Sequence, residues 1–178
     1  MKRKKLEKLI LSAIFLCIGF VLPMFTMQIK EIGDSLLPMH ISVMLCGLIC
    51  GYKYGFLVGL ILPFLRSLIF SMPPLYPNSI WMSAELCTYG LVIGIVYSLL
   101  KTKSVKNVYI ALISAMVTGR IVWGIFKTLL LGLNGKSFTL SAFFIGGFAD
   151  AAIGIVLQLI LIPVIMKIIN MKAGIKND

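Results

Sequence analysis

Acidic residues are scarce in this chain. Six Asp and Glu stand against seventeen Lys and Arg in 178 residues, and there is a single histidine. No GxxxxGK[ST] phosphate loop occurs, which excludes ATP hydrolysis by that route. HExxH and GxSxG are absent too, as is any carboxylate pair beside a plausible nucleophile. A voltage sensor needs a ladder of arginines on one helix, and Arg66 and Arg120 fall on different segments. No inverted duplication of the kind common in secondary transporters is visible. Cys17, Cys46, Cys50 and Cys87 all lie in apolar stretches, so no disulfide framework is indicated. Cys46 and Cys50 share a helix face but have no further metal ligand nearby, and read as small packing residues. The chain thus implies no enzyme, no metal and no cofactor.

Apolar residues are abundant instead. They make up 60% of the chain, with a mean hydropathy of +1.03, whereas in soluble domains roughly half of the residues are apolar. A water-soluble fold this small could not bury so much hydrophobic surface, but a bilayer can accommodate it. The length suits one integral membrane domain spanning 1–178. A net charge of +11 on a soluble protein would suggest nucleic acid. Here the cations fall between apolar runs, so topology accounts for them and no nucleic-acid partner is expected.

A spanning helix needs about 20 apolar residues. The expected architecture is an all-α bundle of six transmembrane helices, at about 6–27, 37–51, 53–71, 78–100, 107–132 and 139–169. The second is short, and is tilted, broken or joined to the third almost without a loop at Gly51–Gly55. The sixth is long enough to run beyond the membrane. The first resembles a secretory signal, but its length and the lack of a small-x-small cleavage site indicate an uncleaved span. With the N-terminus in the cytoplasm, the inner segments hold Lys2, Arg3, Lys4, Lys5, Lys8, Lys53, Lys101, Lys103, Lys106, Lys167, Lys172 and Lys176. The outer loops hold only Lys30 and Lys136. That bias predicts a multi-pass cell-membrane protein with both termini cytoplasmic. Small residues four apart (Gly47/Gly51, Gly55/Gly59, Gly90/Gly94, Ala111/Ala115/Gly119) predict close helix packing.

Arg66, Glu85, Arg120, Lys127 and Asp150 lie inside the expected spans. Such residues are costly in lipid and by default face protein or a wet cavity. If the third and fourth helices reverse around Leu75, Arg66 lies level with Glu85. If the fifth and sixth reverse around Gly135, Arg120 lies level with Asp150. Two structural ion pairs follow, Arg66–Glu85 and Arg120–Asp150. Lys127 either snorkels to the interface or gives the interior a spare cation suited to a carboxylated solute. The segment Ser71–Asn78, with three prolines, could shape the mouth of a pocket with Tyr76 and Trp81. His40 reads as a polar helix start at the interface, with no titratable partner placeable at its depth.

The stretches Leu37-Pro38-Met39-His40-Ile41-Ser42-Val43, Gly51-Tyr52-Lys53-Tyr54-Gly55, Pro63-Phe64-Leu65-Arg66-Ser67-Leu68 and Met72-Pro73-Pro74-Leu75-Tyr76-Pro77 are recognisable together. They resemble the substrate-binding S component of energy-coupling factor (ECF) vitamin transporters, and the resemblance extends over essentially the whole chain. It implies a six-helix subunit that binds a small water-soluble vitamin or precursor from outside. It also implies docking on a coupling transmembrane subunit and two ATPases. Its subgroup is similar to those assigned to pantothenate, with niacin next. Substrate-binding positions implied in this way are Tyr76, Asn78, Trp81, Glu85, Trp123, Lys127 and Asn134. The family's Ala-x-x-x-Ala docking pattern has its nearest match at Ala13 and Cys17, where cysteine departs from it. A stand-alone channel or facilitator, and a scaffold without a solute, are the alternatives.

Overall fold

The structure, a computed structural model, describes residues 2–26, 37–100, 102, 104–133 and 138–172. Every regular element among them is helical: α1 (Lys2–Thr26), α2 (Pro38–Cys50), α3 (Tyr52–Phe70), α4 (Ile80–Leu99), α5 (Val105–Leu133), the short α6 (Leu140–Phe144) and α7 (Ala152–Lys172). A wide turn at Leu75–Ser79, with Tyr76 extended inside it, leads into α4. A second wide turn, Ile145–Ala149, joins α6 to α7. Five segments are long and apolar enough to cross a membrane: Arg3–Phe25, Tyr52–Phe70, Leu75–Leu99, Val105–Leu133 and Ala152–Met171.

The two expected spans that differ do so for local reasons. α2 has 13 residues, about 20 Å at ~1.5 Å per residue, short of a ~30 Å hydrocarbon core. Twelve of those residues are buried by protein, so the helix is core rather than a lipid-facing wall. It begins with Pro38, whose missing N–H costs nothing in a first helical turn. It ends at Gly51, whose φ of 100° favours glycine, and α3 starts at the next residue. The expected sixth span, 139–169, is divided. Gly146 and Gly147 weaken the helix, and the chain turns at Asp150 and Ala151 before α7 begins.

Glycines set how closely the central helices approach. A Cβ on Gly90 would overlap the Gly55 backbone, and one on Gly59 would overlap the backbone at Leu86. A Cβ on Gly55 would stand 2.7 Å from Cα of Gly47, so α2, α3 and α4 meet at three glycines. Around this contact lie two apolar clusters. One is built on Met44, Tyr89, Ile93, Leu112 and Ile162, and the other on Val43, Cys46, Val58, Leu62 and Leu86. The Ser42 hydroxyl donates to the Phe15 carbonyl, and the Ser83 hydroxyl to the Leu60 carbonyl at 3.1 Å, tying α1 to α2 and α3 to α4. At one end of the bundle the Tyr54 hydroxyl donates to the Lys5 carbonyl, beside the α2–α3 turn. The opposite end carries the two wide turns and the polar residues described next.

Candidate functional site

Glu85 lies at the centre of the polar interior. It sits one turn into α4 after Trp81, and is 2% exposed. Three groups converge on the same carboxylate oxygen, Oε1. The Tyr89 hydroxyl donates to it at 2.9 Å, Arg120 Nη1 lies at 3.0 Å, and His40 Nε2 stands 3.7 Å away. These partners come from α4, α5 and α2, so one carboxylate joins three helices. Burial without such partners would be prohibitive for a charge.

This arrangement corrects both expected pairings. Gly55 faces Gly90 and Gly59 faces Leu86, so counting along both helices sets Arg66 beside Ser79. That is roughly 9 Å short of Glu85 at ~1.5 Å per residue. The wide turn at Leu75–Ser79 displaces the register that a simple reversal around Leu75 would give. Arg66 instead donates through Nη1 to the Phe20 carbonyl at 3.0 Å, with its guanidinium 5.7 Å from the Phe70 ring. Arg120 faces Glu85 rather than Asp150. Depth was matched by counting, but the face was not: Asp150 lies on the exposed side of the turn before α7. A Cβ on Gly146 would be 3.9 Å from both Asp150 Oδ2 and Lys127 Nζ, so Asp150 lies toward Lys127.

Lys127 is two turns along α5 from Arg120. Its ammonium sits over three aromatic rings, 4.4 Å from the Trp123 centroid, 5.1 Å from Phe138 and 5.6 Å from Trp81. Cation–π attraction of this kind holds the amine in one place without neutralising it. Arg120 adds a further contact with Trp123 at 5.8 Å. Trp81 and Glu85 share a face of α4, while Arg120, Trp123 and Lys127 share a face of α5. The two faces meet, giving a continuous strip from His40 through Glu85, Arg120 and Trp123 to Lys127 and Trp81.

A cavity of about 230 Å³ opens beside the start of α2, lined by Leu37, His40, Arg66, Asn78, Met82 and the Met72–Pro74 segment among others. Leu37 (φ 47°), just before α2, and Ser71 (φ 56°), just before the Met72–Pro74 segment, hold left-handed conformations that non-glycine residues rarely adopt. Of the positions expected to bind substrate, Asn78 lines this cavity, whereas Trp81, Glu85, Trp123 and Lys127 form the strip. Tyr76 is 52% exposed on the wide turn, and Asn134 lies outside the described residues. His40 is corrected outright: it is 1% exposed inside the bundle, and Glu85 lies at its depth. Tyr89 and Phe138 were missed. For Tyr89 the signal was present, since Glu85 and Tyr89 are four apart on one helix.

The family model for the ECF transporter, substrate-specific component, matches residues 7–166. The chain belongs to that family. ECF substrate-specific components are transport subunits and not enzymes; they supply substrate selectivity to a multi-pass membrane transporter that contains ECF transmembrane and ATPase subunits. No curated protein and no solved structure matches this chain.

Proposed function

We propose that this chain is the solute-capturing subunit of an ATP-driven ECF importer, a single membrane domain with both termini cytoplasmic and six traverses counting the short α2. On the charge distribution, the end bearing the wide turns faces outward and the Lys5–Lys8 end faces the cytoplasm. The solute is a small water-soluble vitamin or precursor bearing a carboxylate, pantothenate first and niacin next. Asn78, Trp81, Glu85, Trp123 and Lys127 contribute the pocket, with Tyr76 and Asn134 at its rim.

The observation that carries this reading is the placement of Lys127. Its ammonium is enclosed by Trp81, Trp123 and Phe138, while Glu85 is already engaged by Arg120. A positive field on an aromatic wall suits a compact carboxylated solute. On the partner side, Ala13 and Cys17 lie on the exposed face of α1, where small residues let another helix approach closely. That face is the proposed contact with the coupling transmembrane subunit.

The reading is tested by purifying the protein from its native membrane and identifying the co-purified small molecule by mass spectrometry. A carboxylated vitamin or precursor is expected. A neutral or cationic solute would overturn the substrate class.

A further inference from the structure

The cavity beside α2 offers chemistry that the aromatic strip does not. His40 lies in the first turn of a 13-residue helix, is 1% exposed, and makes no hydrogen bond through either ring nitrogen among the described residues. Its Nε2 points toward Glu85 but stops at 3.7 Å, beyond bonding distance. A buried imidazole with only this long ionic contact calls for a partner at hydrogen-bond distance. The start of a helix favours anions through the positive end of its dipole, although in α2 Pro38 has no N–H and the His40 N–H donates to the Leu37 carbonyl at 3.1 Å. Arg66 lines the same cavity, braced by the Phe20 carbonyl at 3.0 Å. Its planar guanidinium matches carboxylate geometry. Asn78 is the third polar side chain among the described lining residues, and none of those residues is acidic. The remaining wall is methionine, proline and Leu37, which accommodates a compact apolar body. At about 230 Å³ the space is smaller than the ~300–1,000 Å³ usual for drug-sized ligands.

We propose that this cavity is the carboxylate subsite of the solute, with His40 donating to the anion and determining selectivity for the acid over its neutral counterpart. The proposal rests on the solute-capture reading above. It assigns direct contact to His40 and Arg66, while Lys127 acts through its field from the aromatic strip. His40 then links two things: it touches the solute on one side and Glu85 on the other, so occupancy of the cavity is felt by the α2–α4–α5 junction.

The test is isothermal calorimetry on the full chain in detergent, with two acid–neutral pairs as probes: pantothenate against its alcohol pantothenol, and nicotinate against nicotinamide. Wild type is expected to prefer the acid in at least one pair by roughly tenfold or more. His40→Gln is expected to weaken the acid about tenfold and leave the neutral analogue unchanged. His40→Asn serves as a second variant should the longer amide disturb folding, which thermal unfolding checks. An unchanged acid-to-neutral ratio in a folded variant would remove His40 from the site while leaving the solute reading intact. Equal wild-type affinity for both members of each pair overturns the carboxylate assignment alone. Failure of wild type to bind any of the four probes overturns the vitamin assignment and the subsite with it.

Discussion

Arg120 Nη1 and Glu85 Oε1 stand 3.0 Å apart across α4 and α5, both almost fully withdrawn from solvent. Removing one partner of a buried pair leaves an uncompensated charge, a loss of about 3–5 kcal/mol. Arg120→Ala is therefore expected to destabilise the protein strongly. Adding Glu85→Gln should recover part of that loss, and adding Asp150→Asn should not. Thermal unfolding of the two double variants decides between the partners; rescue by Asp150→Asn instead would refute the pairing.

On the proposed reading, Lys127 contributes charge to the solute site from its place over Trp81, Trp123 and Phe138. A unit charge about 10 Å from a ligand carboxylate is worth about 1.7 kcal/mol at an effective dielectric constant near 20. Lys127→Met should accordingly weaken a carboxylated solute about tenfold to twentyfold, with expression and unfolding temperature little changed. Trp123→Leu should weaken binding less, since the ammonium keeps two of its three rings. Titration of both variants measures this, and equal affinity in Lys127→Met and wild type would take Lys127 out of the site.

The glycine contact between α3 and α4 leaves no room for a side chain. Gly90→Val is expected to abolish recovery of monodisperse protein, because a Cβ there would overlap the Gly55 backbone. Gly132, with nothing within 4 Å of its added Cβ, provides the comparison. Gly132→Ala should be neutral or stabilising by up to about 1 kcal/mol. Size-exclusion profiles and unfolding temperatures read both.

The exposed face of α1 should matter for assembly and not for binding. Ala13→Trp and Cys17→Trp are expected to prevent co-purification with the coupling transmembrane and ATPase subunits. Solute affinity of the isolated subunit should stay at the wild-type level. A variant that still assembles would move the contact to another helix.

Membrane residence and the positions of the long helices were legible because hydropathy and length are properties of the chain itself. Arg66, Glu85, Arg120, Lys127 and Asp150 could likewise be placed to within a turn or two in depth by counting. Which of them meet could not be read, because the facing side depends on turns that counting treats as ideal. The extended Tyr76 inside Leu75–Ser79 moved Arg66 away from Glu85. The Gly146–Gly147 break turned Asp150 outward. His40 was misplaced for a different reason: a 13-residue apolar helix has too few residues to span the bilayer, and only its neighbours reveal that it is buried core. Within helices the spacing carried a signal that was not used: Trp123 and Lys127, like Glu85 and Tyr89, are four apart and lie together in the structure. Phe138 reaches Lys127 from beyond the end of α5 and left no local signal.

The central claim is that this chain selects a carboxylated solute and that other subunits drive its import. It is tested most directly by reconstituting the purified protein in liposomes, with and without an ECF coupling subunit and its two ATPases, and following labelled pantothenate and nicotinate. The account predicts ATP-dependent accumulation of at least one of them only in the complete assembly, reduced by Lys127→Met. Equilibrating uptake by this chain alone, indifferent to ATP, would contradict it and identify a facilitator.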